Sequence, residues 1–392
     1  MNNLCADIGY QSLLKYGEQL CGDMLEVVTP DEDTTVVVLA DGLGSGVKAN
    51  ILSTLTSKII STMMANAMSI EECVSTIAAT LPVCKVRGVA YSTFTILRIE
   101  DNREAEIIQY DNPRTILLRD GKELDYSGAS MKIDGKTISR SRISVQDGDV
   151  FVLMSDGVIH AGVERTLNYG WQRENVVSFL ENVYRPDITA KGLNLLLLDE
   201  CNRLYDGRPG DDTTVCTVKI RKRSPVNVLF GPPADPGDVG KMMSLFFSKE
   251  GGHIVCGGTT SQLAADYLGK PVEVELAYMD SEIPPIAKIE GVDLVTEGVV
   301  TMSKVLEYAK AYLDGNDIDI CPEWTYSEDG ASKISLMLFE NATDINFYVG
   351  RAVNPAHQNP KLPINFNIKM RIVEELSQAL TTMGKRVKVS YF

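Results

Sequence analysis

Histidine is scarce in this chain and cysteine is unpaired. The 392 residues include three histidines, His160, His253 and His357, none at the spacing of a helical metal pair, which disfavours a zinc site built on nitrogen and sulfur. Eight cysteines (Cys5, Cys21, Cys73, Cys84, Cys201, Cys216, Cys256 and Cys321) are scattered without a CxxC pair. They read as small buried hydrophobes rather than as a disulfide framework; Cys21, two residues from Asp23, is the one with a conceivable redox role. Positive charge is short as well. Lys and Arg number 38 against 53 Asp and Glu, a formal net charge of −15, which disfavours non-specific binding to nucleic acid or to an anionic membrane. No apolar run is long enough to cross a bilayer and no charged-then-apolar leader opens the sequence, so the cytoplasm is the expected compartment.

What is present fits a globular protein of two domains: 44% hydrophobic and 23% charged residues over a length too great for one comfortable core. The basic, proline-bearing stretch Arg221-Lys222-Arg223-Ser224-Pro225 reads as a linker, dividing the chain into residues 1–222 and 223–392.

Four acidic turns stand out in the first part: Gly22-Asp23, Asp41-Gly42, Asp156-Gly157 and Gly210-Asp211-Asp212. Each abuts an apolar, β-branched run. Asp-Gly and Gly-Asp are common turn dipeptides, and any one of the four alone is an ordinary turn; four in succession at strand boundaries are harder to assign to chance. Met24 to Val28 and Thr34 to Ala40 are strand-like around a polar turn, and in an antiparallel hairpin the start of one strand lies beside the end of the other. Asp23 and Asp41 are therefore expected to be neighbours. Asp156 ends the strand Phe151 to Ser155 and Asp211 precedes the strand Thr213 to Ile220, so an antiparallel pairing would bring these two together as well. Carboxylates so crowded either hold protons or are neutralised by a cation. Oxygen donors favour Mg²⁺ or Mn²⁺, and two such ions about 3.5–4 Å apart could share a bridging water and lower its pKa for attack on phosphorus.

The order GD, DGxGxGxxA (Asp41 to Ala49), SDG (Ser155 to Gly157) and GDDTTV (Gly210 to Val215) resembles that of the metal-dependent PPM/PP2C protein phosphatases, in particular the bacterial branch typified by stage II sporulation protein E. YSTFTILRIE (Tyr91 to Glu100) is similar to that branch's central strand, and DNPRTILLRDG (Asp111 to Gly121) to its hairpin. The resemblance covers about the first 220 residues. It implies Asp23, Asp41, Asp156 and Asp211 as ligands of two Mn²⁺ or Mg²⁺ ions and as the catalytic set, the carbonyl of Gly42 as a backbone ligand, and a supporting place for Asp212. Its arginine-bearing animal relatives bind phosphate through a residue that this chain lacks in the first motif, and Leu43 and Ser45 replace the family's more usual residues there. It further implies a phosphorylated regulatory protein as substrate, such as an anti-sigma-factor antagonist.

Ser45 to Ala67 reads as a long helix with Val47, Ile51, Leu52, Leu55, Ile59, Ile60 and Met63 at helical spacing. Lys48 in its first turn is expected to be a solvated surface lysine, with a carboxylate or substrate phosphate as the alternative partner. A second helix, Ile70 to Thr80, follows a capping box of Ser69 and Glu72. With alternating short strands to Ser155 and helices at Gln172 to Val183 and Thr189 to Leu204, the class expected for the first part is α/β (α+β), a β-sandwich flanked by helices. The second part alternates strand and helix patterns, as a smaller open α/β sheet does.

In that second part, His253 to Gly269 reads as strand, turn and helix, and Gly257, Gly258, Thr259 and Thr260 could hold a phosphate or carboxylate at the helix start. A plain βα turn is the simpler reading. Three activities compete: a metal-dependent serine/threonine phosphatase whose second domain senses a small ligand or docks a partner; a non-catalytic signalling module on the same scaffold; and a small-molecule enzyme centred on the Gly-Gly-Thr-Thr turn.

Overall fold

The computed structural model describes residues 3–80, 92–133, 135–274, 284–314, 323–352 and 368–392. The chain divides into two compact units, Met1–Lys222 and Arg223–Phe392.

The first unit contains strands β1 (Leu4–Leu13), β2 (Asp23–Val28) and β3 (Thr35–Asp41), helices α1 (Gly46–Ala65) and α2 (Ile70–Thr80), then strands β4 (Thr93–Glu100), β5 (Glu104–Tyr110), β6 (Ile116–Arg119), β7 (Lys122–Glu123), β8 (Ala129–Ile133), β9 (Lys136–Ser144) and β10 (Val150–Met154). It closes with the single turn α3 (Asp156–Ile159), helices α4 (Arg173–Val183) and α5 (Ala190–Leu204) and strand β11 (Thr213–Lys222). Two sheets form, one in the order β1-β11-β10-β6-β7 and the other β2-β3-β4-β5-β9-β8.

Side chains that alternate between two faces, both of them buried, explain why these sheets stack. Along β3, Val37 and Leu39 join Leu97, Ile107, Phe151, Leu153 and Val218 in the core between the sheets. Val36 and Val38 face the other way, onto Ile60, Met64, Val74 and Ile77 of α1 and α2. On the opposite sheet Val150, Val152 and Met154 pack beneath Leu193, Leu197 and Cys201 of α5. Burying each such side chain stabilises the fold by about 1.5–3 kcal/mol. The architecture is the expected sandwich of two sheets with helices outside.

Two local outcomes bear on the site. The capping box ahead of α2 is made in both directions, with Ser69 N–H donating to Glu72 Oε2 at 2.9 Å and Glu72 N–H donating to Ser69 Oγ at 3.3 Å. Helix α1, by contrast, buries only part of its apolar stripe: Leu52 and Ile60 are buried and Ile59 and Met63 pack against the core. Val47, Ile51 and Leu55 are 63%, 52% and 43% exposed, while Ala49, Ser53, Thr56, Ser57 and Ser61 are buried. Ser53, Ser57 and Ser61 return their hydroxyls to carbonyls three residues back, on Asn50, Thr54 and Lys58. Small, self-satisfied side chains beside Leu52 and Ile60 let the helix lie close on the sheet, and this outweighs the pull of Val47, Ile51 and Leu55.

The second unit is an open sheet in the order β14-β15-β16-β13-β12-β17-β18. Its strands are β12 (Pro225–Phe230), β13 (Gly252–Cys256), β14 (Glu273–Val274), β15 (Ala287–Ile289), β16 (Val292–Thr296), β17 (Asp344–Val349) and β18 (Arg386–Tyr391). From β16 to β18 neighbours are parallel. Helices α6 (Val239–Phe247) and α7 (Gly258–Leu268) cover one face around Leu229, Met243, Phe246 and Ala264. Helices α8 (Val299–Asp314), α9 (Gly330–Ser335) and α10 (Ile368–Thr382) cover the other around Phe230, Val305, Ile334 and Leu376. The open α/β class expected here is the observed one. The sequence of Val272 to Ala277 has the pattern of a strand; of it β14 takes Glu273–Val274, and residues 275–277 lie outside the described residues.

Candidate active site

The first hairpin sets the geometry. Asp31 Oδ1 accepts the N–H groups of Asp33 and Thr34, both at 2.8 Å, which closes the turn and fixes the register. With the register fixed, Asp23 lies directly opposite Asp41 at the far end of the ladder. The pairing runs one step further, Gly42 N–H donating to the Gly22 carbonyl at 3.1 Å. Helix α1 starts against these two glycines. A Cβ on Gly42 would stand 2.2 Å from the Ala49 carbonyl oxygen, so only glycine fits. Asn50 Nδ2 donates to the Cys21 carbonyl at 2.8 Å, tying the helix to the strand that carries Asp23.

The other sheet brings its acids to the same edge. Strand β10 pairs antiparallel with β11, Met154 opposite Val215. Ser155 locks the next step: its N–H donates to the Thr214 carbonyl at 3.0 Å, and its Oγ accepts the Thr214 N–H at 2.9 Å. Asp156 then opens the turn α3 rather than ending a strand. Gly157 presses on Asp212, and the Tyr205 hydroxyl donates to the Gly157 carbonyl at 2.7 Å. The two edges meet at Gly22, where an added Cβ would be 2.8 Å from Asp212 Oδ2.

Proximity shows in the ionisation of these groups. Asp41 is held far above the usual carboxylate range, first by burial and then by the charges of Asp23, Asp156 and Asp211. Asp23 is raised chiefly by burial, with Asp212 and Asp156 adding to it and the Ser155 and Thr214 hydroxyls opposing it. Asp156 is raised by burial and by Asp211, and His160 pulls it back. Asp23 Oδ2 and Asp212 Oδ2 are buried without a hydrogen-bond partner. A buried carboxylate oxygen left bare is costly, and a cation would relieve both the bare oxygens and the mutual repulsion. The donor set therefore fits a hard divalent ion. Among the described residues, no three or more His, Cys, Asp or Glu side chains already converge on a point that could hold one. The acids are neighbours around a shared edge, without a closed cage.

Lys15 carries no functional signal in the sequence. Just beyond β1, its N–H donates to Asp212 Oδ1 at 3.0 Å and its ammonium lies 3.7 Å from Asp211 Oδ1. It sits outside the acidic motifs, in a segment without a turn signature, and only the pairing of β1 with β11 brings it there. Tyr205 and Asn50 were equally silent in the sequence. Lys48 is exposed in the first turn of α1. The Cys21 thiol is pushed up to about 12 by burial and by Asp23, which leaves little thiolate for redox chemistry. Gly257, Gly258, Thr259 and Thr260 belong to the second unit: Gly257 caps α7, Gly258 to Thr260 form its first turn, and Thr260 is buried.

Residues 31–221 match the family model described as Stage II sporulation protein E (SpoIIE). That match spans just under half of the chain. The chain is similar to Stage II sporulation protein E of Bacillus subtilis (strain 168), 22% identical over 219 residues that make up 54% of this chain and 25% of that protein. It thus spans a quarter of the length of that curated relative. Among solved structures, the PP2C phosphatase domain of B. subtilis SpoIIE with a fragment of its regulatory domain is similar at 19% identity and a TM-score of 0.47, covering 55% of this chain and 63% of that one. The phosphatase domain of the same protein in a crystal form without domain swapping gives 18% identity and a TM-score of 0.45, covering 57% and 96%. The SpoIIE match ends one residue short of the boundary between the two units.

Proposed function

We propose that the first unit is a metal-dependent serine/threonine protein phosphatase, with Asp23, Asp41, Asp156 and Asp211 holding two Mn²⁺ or Mg²⁺ ions, assisted by the Gly42 carbonyl. The observation that carries this is the edge where Asp23 faces Asp41 and Gly22 abuts Asp212, with two buried carboxylate oxygens unpartnered. The match of residues 31–221 to the SpoIIE family model supports it. Two divalent ions would supply charge for the phosphoryl oxygens and a water acidic enough to attack phosphorus near neutral pH. The chain's own part is placement. Ser155 and Tyr205 fix the Asp156 turn, Asn50 fixes the approach of α1, and Asp212 anchors the end of β1 through Lys15 N–H. The substrate proposed is a phosphoserine or phosphothreonine on a regulatory protein, such as an anti-sigma-factor antagonist, and the second unit is proposed to sense a ligand or dock a partner.

The second reading is a signalling module with little or no turnover, favoured by the lack of a closed three-ligand arrangement among the described residues. Release of phosphate from a phosphoserine protein separates the two. The phosphatase reading expects Mn²⁺-dependent turnover that Asp41→Asn and Asp156→Asn each abolish; turnover surviving both substitutions would remove this site from the reaction.

A further inference from the structure

We propose that Lys15 positions the substrate's phosphoryl group by exchanging partners: its ammonium rests on Asp211 while that carboxylate is free, and turns to a phosphoryl oxygen once a cation takes Asp211. The inference rests on the phosphatase reading above and adds to it a residue outside the acidic motifs.

Charge is the first argument. Five carboxylates meet at this edge and a phosphate monoester brings further negative charge, so two divalent ions leave the loaded site with an excess of negative charge. Among the described residues, Lys15 is the only lysine or arginine within ion-pair distance of any of the five. Lys48, on the first turn of α1, is exposed and makes no ion pair among the described residues. If a protein cation meets the incoming phosphate at this edge, Lys15 is the one placed to do so.

Attachment is the second. The main chain of Lys15 is fastened on both sides, its own N–H to Asp212 Oδ1 at 3.0 Å and the Tyr16 N–H to the Pro209 carbonyl at 2.8 Å. The Arg208 guanidinium lies over the Tyr16 ring, 5.3 Å from its centre, and adds a further tie. The backbone is therefore held while the side chain keeps its freedom. At 3.7 Å, with the two side chains 35% and 42% exposed, the Lys15–Asp211 pair is of the weak, exchangeable kind. A pair of that strength yields to a divalent cation on Asp211, and a lysine so released is still tethered beside the acids.

The test uses the full chain stripped of metal, as wild type, Lys15→Gln and Lys15→Arg. Calorimetric titration with MnCl2 is expected to show Lys15→Gln binding the ion about three- to ten-fold more tightly, because a competing positive charge has gone. On a phosphoserine peptide with saturating Mn²⁺, KM is expected to rise about ten-fold with a much smaller change in kcat, inhibition by inorganic phosphate to weaken in parallel, and Lys15→Arg to restore both. The anchoring bond uses the main-chain N–H, so the glutamine variant keeps it; an unchanged melting curve confirms that. Wild type that takes up Mn²⁺ and turns over, with Lys15→Gln matching it in Mn²⁺ affinity and KM, overturns the assignment of Lys15 alone. Wild type that neither binds Mn²⁺ nor hydrolyses the peptide overturns the phosphatase reading and the inference with it.

Discussion

A Cβ placed on Gly157 would lie 2.2 Å from the carbonyl oxygen of Asp212. The Asp156 turn and the Asp211-Asp212 turn, 55 residues apart in sequence, therefore touch main chain to main chain, and the separation of their carboxylates is set by backbone rather than by side-chain choice. Gly157→Ala must push these turns apart. A loss of about 2–4 kcal/mol is expected, measured by denaturant unfolding of the first unit through Trp171 fluorescence in a Trp324→Phe background. Gly135→Ala, where a Cβ meets nothing within 4 Å but φ is +80°, is the control for conformational cost alone, about 1 kcal/mol. Equal losses at both positions would show that the turns can part freely.

Metal-free protein should lose stability as the pH rises. Asp23 and Asp41 are raised first by burial, Asp23 further by Asp212 and Asp156 and Asp41 by Asp23, Asp156 and Asp211, so in the fold they keep protons that the unfolded chain has already released. Above the ordinary carboxylate range the unfolded state binds fewer protons than the native state, and the slope of unfolding free energy against pH is negative. The stability is fully present below that range and is lost as the pH climbs through the raised values. In EDTA, midpoints measured from pH 4 to 8 should fall with pH, and Asp41→Asn should flatten the fall. A slope that the substitution leaves untouched would mean that Asp41 is not crowded.

Much of this was legible in the sequence because it rests on local rules. The hairpin register follows from a polar turn between two β-branched runs, and the α2 start from Ser69 and Glu72. The unbroken apolar run Val36 to Ala40 is that of a strand buried on both faces, as a sheet with a layer on either side requires. What stayed hidden depends on long-range placement. Lys15 reaches Asp211 because β1 pairs with β11, nearly the whole first unit away in sequence. Tyr205 reaches Gly157 because α5 ends beside that turn. Neither position has a local pattern that separates it from a surface lysine or a core tyrosine.

Tyr205→Phe isolates one of those hidden supports. The ring is 2% exposed and its hydroxyl donates to the Gly157 carbonyl at 2.7 Å. Removing the oxygen leaves a buried carbonyl short of a donor, at a cost of about 1–2 kcal/mol. The turn carrying Asp156 also loses its brace, so Mn²⁺ affinity measured by calorimetry should fall along with the unfolding midpoint. A variant less stable yet unchanged in Mn²⁺ affinity would show that the brace serves the fold and not the ions.

Helix α1 offers a test of packing against pattern. Val47, Ile51 and Leu55 of its apolar stripe are exposed, and its buried face combines Leu52, Ile60 and Met64 with the small Ala49, Ser53, Thr56, Ser57 and Ser61. A charge at an exposed position displaces no core contact, so Ile51→Lys is expected to change stability by less than about 0.5 kcal/mol. Ser57 is fully buried, and its hydroxyl is already satisfied by the Thr54 carbonyl at 3.1 Å. Ser57→Leu must either push α1 off the sheet or force its rotamer, at about 1–3 kcal/mol. Because the first turn of α1 packs on Gly22 and Gly42, lifting the helix also loosens the strand ends that carry Asp23 and Asp41. Ser57→Leu should therefore weaken Mn²⁺ binding while Ile51→Lys leaves it unchanged. The reverse ranking, with the lysine more damaging than the leucine, would mean that the apolar stripe, and not the small-residue face, seats the helix.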